Sequence, residues 1–157
     1  MPSYAATTEV SVERSKMEIE QIVRRYGADG FLSGWEGDRA MVQFRCQGRY
    51  VRFLMTLPDR AEKRFTQHSR GARSPEAALK EWEQACRQKW RALALMIKAK
   101  LEAVESGIVS FEQEFLPHVL PPDGTTVYEQ TRAAVALAYE QGTMPKLLPD
   151  FRSDADA

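Results

Sequence analysis

One segment, residues 74–106, limits the possible folds more than any other feature of the sequence. Three signals mark the start of a helix there: Ser74 as N-cap, Pro75 at the first helical position and Glu76 in the first turn. The helical pattern then continues until Gly107. An unbroken helix of that length measures roughly 50 Å, whereas a compact domain of this size spans about 40 Å. We therefore expect the helix to bend or to protrude at one end.

At 100° per residue this helix has three different faces. Its apolar stripe should face the core and consists of Trp82, Cys86, Trp90, Leu93, Ile97, Leu101 and Val104. A strip of small residues, Ala78, Ala85, Ala92 and Ala99, would let another element or a second copy of the chain approach closely. The third face is basic and carries Lys80, Arg87, Arg91 and Lys98. Three of these cations could instead form ordinary surface pairs at i, i+4 spacing with Glu76, Glu83 and Glu102.

Three alternating segments before this helix predict an antiparallel sheet. They are FLSGW (31–35), RAMVQFRC (39–46) and RYVRFLMTL (49–57), with turns at Gly37-Asp38 and Gln47-Gly48. A two-residue loop at Gln47-Gly48 would pair Cys46 with Arg49, Phe44 with Val51, Val42 with Phe53 and Ala40 with Met55. We expect that face of the sheet to belong to the core, together with the apolar stripe of the long helix.

The opposite face of the same register places cations beside an aromatic ring, because Arg45 pairs with Tyr50 and Gln43 with Arg52. Guanidinium groups bind phosphates, and aromatic rings stack on unpaired bases. Arg45, Tyr50 and Arg52 are therefore candidate residues for binding nucleic acid or another anion. A helix packed over Tyr50 would instead leave the two arginines at its margin.

The polar segment between the sheet and the long helix, residues 59–74, should lie on the surface as an irregular connection that is mobile without a partner. It supplies four more candidate anion-binding residues: Lys63, Arg64, Arg70 and Arg73. Together with the sheet face and the basic helix face, they could form one positive surface.

The N-terminal region should contain a short strand over residues 6–12 and a helix that opens with a capping box of Ser15 and Glu18 and stops at Gly27. The C-terminal region should contain a short turn or helix at SFEQEF, an extended HVLPP and a last helix between the capping box of Thr126 and Glu129 and the cap at Gly142. Apolar anchors for that helix and the following tail would be Tyr128, Val135, Tyr139, Met144, Leu147 and Leu148.

We find no catalytic constellation in the sequence: no nucleophile with its base, no phosphate-binding loop and no metal-ligand spacing. The two histidines lack ligand partners, and Pro117 breaks the helix that would bring Glu114 and His118 to one face. Cys46 and Cys86 are expected as buried free thiols rather than a disulfide. The sequence thus predicts a non-enzymatic protein without a metal or cofactor.

Charge is balanced overall, with 22 basic and 22 acidic residues, but it is unevenly distributed. Residues 39–73 carry nine basic residues against two acidic ones, whereas residues 110–157 carry eight acidic residues against three basic ones. This asymmetry favours an anionic partner for the middle of the chain, unless the two regions face each other in the fold. No apolar run approaches the roughly 20 residues of a membrane span, and no secretory signal is apparent.

Several stretches resemble a family of small proteins encoded by phages and prophages. They are VERSKMEIEQIVRRYGADGF, GWEGDRAMVQF, GRYVRF, WEQACRQKWRALALMIKAKLEAVESGI and MPKLLP. The resemblance implies a role accessory to phage replication or recombination, or one that blunts bacterial immunity. It carries over no role for any single residue.

These observations predict one α+β domain over residues 1–157, with frayed ends at about 1–5 and 150–157. In this domain a small antiparallel sheet of three to four strands packs on one long helix, with shorter N- and C-terminal helices beside it. The leading hypothesis is a phage accessory protein of the bacterial cytoplasm that binds nucleic acid or a nucleoprotein complex. The alternative is a counter-defence protein that inhibits a bacterial immune complex or sequesters an anionic nucleotide signal. Self-association through the long helix is a further possibility.

Overall fold

The computed structural model describes residues 5–147. Its elements in chain order are α1 (Val12–Arg25), β1 (Gly30–Glu36), β2 (Arg39–Cys46), β3 (Arg49–Thr56), α2 (Lys63–Thr66), β4 (Gln67–His68), β5 (Gly71–Ala72), α3 (Pro75–Glu105), α4 (Phe111–Phe115), a 3-10 turn (Leu116–His118), β6 (Val119–Leu120) and α5 (Val127–Gln141). The predicted α+β class, with a small antiparallel sheet and one long helix, is confirmed.

The main sheet has the order β1-β2-β3-β6 and is antiparallel throughout. Gln47 and Gly48 both have positive φ, 51° and 74°, as a two-residue type I′ hairpin requires. This turn fixes the predicted register, in which Phe44 lies opposite Val51 and Arg45 opposite Tyr50. β1 extends one residue beyond the predicted FLSGW at each end, and β6 adds the fourth strand through the HVLPP segment.

The inner face of the sheet packs against both α1 and α3 in one core. Phe44 and Phe53 from the sheet meet Phe115 of α4 edge to face, with ring centroids 6.0 and 6.5 Å apart. α3 contributes Ile97 and Leu101, which are fully buried beside them. Both cysteines are buried free thiols, as predicted.

α3 runs without interruption from its N-cap Ser74, whose Oγ accepts a hydrogen bond from the Ala77 N–H at 3.2 Å. Its start is the predicted one, and its end falls one residue before the predicted Ser106. Ala92 and Ala99 of the small-residue strip are exposed. The strip is therefore not covered along its length by another element of the chain.

Two expectations for the N-terminal region are wrong. No strand forms at residues 6–12; instead, the carbonyls of Ala6 and Thr8 accept hydrogen bonds from Gln84 of α3. α1 begins at Val12 with Ser11 as N-cap, so Ser15 lies inside the helix, fully buried. The β-branched residues at positions 6–12 had suggested a strand, but no neighbouring strand pairs with them.

The C-terminal region agrees with the predicted caps but not with the predicted anchors. Capping boxes start α4 at Ser110 and α5 at Thr126, and Gly142 ends α5 in the left-handed conformation. None of the fifteen α5 residues is buried, and Tyr139 is 89% exposed. The proposed anchors Tyr128, Val135, Tyr139 and Met144 are therefore wrong, because all four side chains are exposed although α5 contacts the 3-10 turn.

The predicted frayed ends fall largely on residues 1–4 and 148–157, which are outside the described residues, as is the anchor Leu148. Ala5, the first described residue, is buried. Within residues 5–147 no helix is both long and apolar enough to cross a bilayer.

We expect Ile97→Ala to lower the free energy of unfolding by about 2–5 kcal/mol, because it leaves a cavity where the sheet meets α3. The matched control is the adjacent Met96→Ala, which removes a side chain 38% exposed on the same helix and should cost about 0.5 kcal/mol or less. Urea denaturation of both variants measures the difference. Equal losses would mean that the inner face of α3 has been misplaced.

Candidate functional site

The eleven predicted binding residues fall into three groups rather than one surface. Arg45, Tyr50 and Arg52 lie on the outer face of the sheet. α3 packs on the inner face, so the basic face of α3 is separated from the outer sheet face by the core. The third group, in residues 59–74, joins the sheet to the start of α3.

The outer sheet arginines are held by contacts within the protein. Arg45 makes a two-pronged ion pair with Asp29, at 2.7 and 2.9 Å, and this contact lowers the pKa of Asp29 below its ordinary value. Arg52 donates to Gln43 Oε1 at 3.0 Å and to the Gly124 carbonyl at 3.3 Å. Tyr50 remains about half exposed, and the Arg45 guanidinium lies 5.9 Å from the centre of its ring. This group therefore offers a ring but little unpaired positive charge.

The basic face of α3 is also partly neutralised, although not by the expected i, i+4 pairs. Arg91 forms an ion pair with Glu18 of α1. Arg87 donates to Gln84 at 3.0 and 2.6 Å. Lys80 and Lys98 are exposed and form no ion pair with any described residue, but they stand roughly 27 Å apart along the helix. The face is thus not a continuous basic stripe.

Residues 60–74 form a small folded unit, the basic module, where an irregular connection was predicted. It consists of α2 and the two-stranded β4–β5 hairpin. Phe65 anchors it, being almost completely buried where α2 packs on α3. Nη1 of Arg73 donates to the carbonyls of Arg64, Phe65 and Gln67 at 2.7, 3.3 and 2.8 Å. Arg73 therefore holds the module together.

The basic module carries two of the four predicted cations that are exposed and without a partner among the described residues, Lys63 and Arg70. The segment contains one acidic residue, Glu62, and five basic residues: Arg60, Lys63, Arg64, Arg70 and Arg73. Glu62 pairs with Arg64 at 2.6 Å. The side chains of Lys63 and Arg70 are exposed and form no ion pair with described residues. Lys80, also exposed, follows within the first two turns of α3.

A groove of about 910 Å³ opens beside the module, and the sequence did not reveal it. Its walls come from the start of α1, the β1–β2 turn, residues 57–60 and the N-terminal half of α3. All three tryptophans of the protein line it: Trp35, Trp82 and Trp90. Trp90 is buried at 3% exposure, whereas Trp35 is 71% exposed. We call this feature the tryptophan groove.

Two of the three indole rings in the groove already have a cation of the protein against them. The Arg60 guanidinium lies 4.0 Å from the centre of the Trp82 ring, and the Lys16 ammonium lies 4.7 Å from that of Trp90. The Trp82 Nε1–H donates to the Pro58 carbonyl at 2.7 Å. Trp82 is thus fixed in place, and Trp35 is the ring left open to a ligand.

The carboxylates around the groove are exposed and form no ion pair with the described residues. They are Glu13 on α1, Asp38 in the β1–β2 turn, Asp59 before the module and Glu83 on α3. Four carboxylates therefore line the groove against three cations, Lys16, Arg60 and Arg87, and the groove lies next to the basic module.

Burial shifts the pKa of one side chain in the groove wall and of another in the 3-10 turn. Burial raises the pKa of the Cys86 thiol in the groove wall, which keeps it protonated and a poor nucleophile. Burial, with nearby Lys100, lowers the pKa of His118, whose ring packs on Phe53 at 4.2 Å. Residues 5–147 contain no group of three or more His, Cys, Asp or Glu side chains placed to hold a metal ion.

We expect Arg73→Ala to loosen the basic module, because three carbonyls lose their charged donor. Chymotrypsin cleavage after Phe65 should become about tenfold faster or more, since the bonds lost are worth over 1 kcal/mol of local stability. Arg70→Ala is the matched control, as that exposed side chain contacts no described side chain, and its cleavage rate should stay at the wild-type value. Equal rates in wild type and Arg73→Ala would show that Arg73 does not hold the module.

Comparison of the chain with protein-family models, with curated proteins and with solved structures found no match in any of the three. The resemblance to phage and prophage proteins stays a prediction.

Proposed function

We propose that this protein is a non-enzymatic phage accessory protein that binds nucleic acid, or the nucleic acid of a nucleoprotein complex, through the basic module. One observation carries the proposal: Lys63 and Arg70 are exposed and form no ion pair with the described residues, in a segment, 60–74, with an excess of four positive charges. Affinity for phosphate backbones comes mainly from such cations, since binding releases condensed counterions.

The basic module is better suited to this role than the other two predicted groups. On the outer sheet face, Arg45 and Arg52 already have partners, so binding phosphate there would require breaking the contact with Asp29 or Gly124. On α3, Arg91 is held by Glu18. Folding of the module around Phe65 and Arg73 positions its cations in advance, which lowers the entropy lost on binding.

The second candidate, counter-defence against a bacterial immune complex, is favoured by a different observation. The tryptophan groove is an apolar site with an acidic rim, which suits a protein segment better than an anionic nucleotide. Of the two forms of that hypothesis, engagement of a protein complex therefore has more support than sequestration of a nucleotide signal.

Charge reversal tests the proposal. In Lys63→Glu/Arg64→Glu/Arg70→Glu, affinity for a labelled 20-nucleotide single strand should fall. The slope of log affinity against log salt should shrink by about 1.4 to 2, since each lost phosphate contact accounts for about 0.7 and Arg64 is already paired with Glu62. Arg73 is left intact because it supports the fold of the module. Fluorescence anisotropy from about 50 mM salt upwards measures both quantities.

The matched control is Arg14→Glu/Lys98→Glu/Arg132→Glu, which changes the net charge equally at exposed positions outside the module. Its salt slope should remain that of the wild type. If both triple variants lose affinity equally, the module is not the binding surface. If the wild-type protein binds neither DNA nor RNA at about 50 mM salt, the proposed function is wrong.

A further inference from the structure

We propose that the tryptophan groove is a second binding site, which takes an extended peptide segment of a protein partner. The segment presents a large apolar or aromatic side chain flanked by lysine or arginine. This inference does not depend on nucleic-acid binding by the basic module, and the two can fail separately.

The groove results from the length of α3. The 31-residue helix is roughly 46 Å long, whereas the eight-residue strands β2 and β3 are roughly 27 Å long. The C-terminal half of the apolar stripe is covered by the sheet. Trp82 and Cys86, nearer the N-terminus, lie outside the core cluster and line the groove, together with Trp90, which belongs to that cluster.

The groove has the composition of a protein-binding hot spot. Tryptophan and arginine are enriched among interface residues that dominate affinity, and they act best in pockets that exclude water. Here the buried Trp90 and Cys86 lie deepest, while Trp82 with Arg60 and the open Trp35 lie nearer the surface. A volume of about 910 Å³ is near the upper end of ligand sites, so several residues of a peptide fit.

Charge identifies the chemistry of the occupant. The three cations that line the groove already have partners in the protein: Arg60 and Lys16 lie over Trp82 and Trp90, and Arg87 donates to Gln84. The four rim carboxylates outnumber them by one, are exposed and form no ion pair with the described residues. A phosphate backbone in the groove would face these carboxylates and be repelled. A basic peptide would pair with them, and its cation would find the open face of Trp35.

A random nine-residue peptide library displayed on filamentous phage provides the probe. After selection on the whole protein, the retained peptides should combine an apolar or aromatic residue with adjacent lysine or arginine. A synthetic copy of the most enriched tryptophan-free peptide should change the tryptophan emission of the protein, because every indole lies in the groove.

Three variants then locate the site. Trp35→Ala should weaken binding of that peptide by about 30-fold or more, the loss expected for a hot-spot residue. Asp38→Asn/Glu83→Gln should weaken binding and reduce its salt dependence. Tyr139→Ala, which removes an aromatic side chain 89% exposed on α5, should leave the affinity unchanged. Circular dichroism confirms that each variant is folded.

The inference is overturned if no peptide is enriched, or if the enriched peptide binds Trp35→Ala as tightly as the wild type. It is also overturned if a (dT)20 strand displaces the peptide from the wild type and binds Trp35→Ala less tightly, because the groove would then be part of a nucleic-acid site. If the peptide binds as expected but the wild type binds no nucleic acid, the proposed function fails and this inference stands.

Discussion

The contact between the inner face of the sheet and the apolar stripe of α3 determines where the other parts of this protein lie. The side chains of Phe44, Phe53 and Ile97 pack together at that contact, and Phe115 of α4 packs against the two phenylalanine rings. Because the strand register is fixed by the turn at Gln47 and Gly48, burial of one face necessarily turns Arg45 and Tyr50 outward. The same contact leaves the N-terminal part of the stripe free to form the tryptophan groove.

The distribution of free charge follows from local contacts rather than from composition. Arg45, Arg73 and Arg91 are each engaged by protein groups, so counting them as ligand-binding residues overstates the positive surface. Arg60 and Lys16 lie over indole rings, while the four carboxylates that line the groove are exposed and form no ion pair with the described residues. A chain with zero formal charge can therefore present a basic module next to an acidic rim.

Local signals predicted the main elements of this fold from the sequence, because caps, turns and alternation act over a few residues. The bounds of β2, the register with β3, the start of α3 and both C-terminal caps were obtained in this way. Features that depend on distant contacts were missed. Burial of Phe65 against α3 organises a polar segment that has little pattern of its own, and residues 6–12 lack a strand to pair with.

The candidate site was predicted only in part, for the same reason. Basic residues are visible in a sequence, so Lys63, Arg64, Arg70 and Lys80 were identified, but whether a cation is already paired depends on the fold. Trp35 lines the same groove as Trp82 and Trp90, although Trp35 and Trp90 are 55 residues apart in the sequence. Trp35 occupies an inner-facing position near the end of an edge strand. The structure shows that its side chain nevertheless lies away from the core and is exposed.

The weak attachment of α5 has a consequence for cooperativity. A helix without one buried side chain contributes little apolar burial to the core, so its opening requires less free energy than global unfolding. α5 should then behave as a separate foldon: its amides exchange through local opening, while those of α3 exchange only when the whole domain unfolds. The described residues would thus contain two thermodynamic units, the core with α3 and the α5 helix outside it.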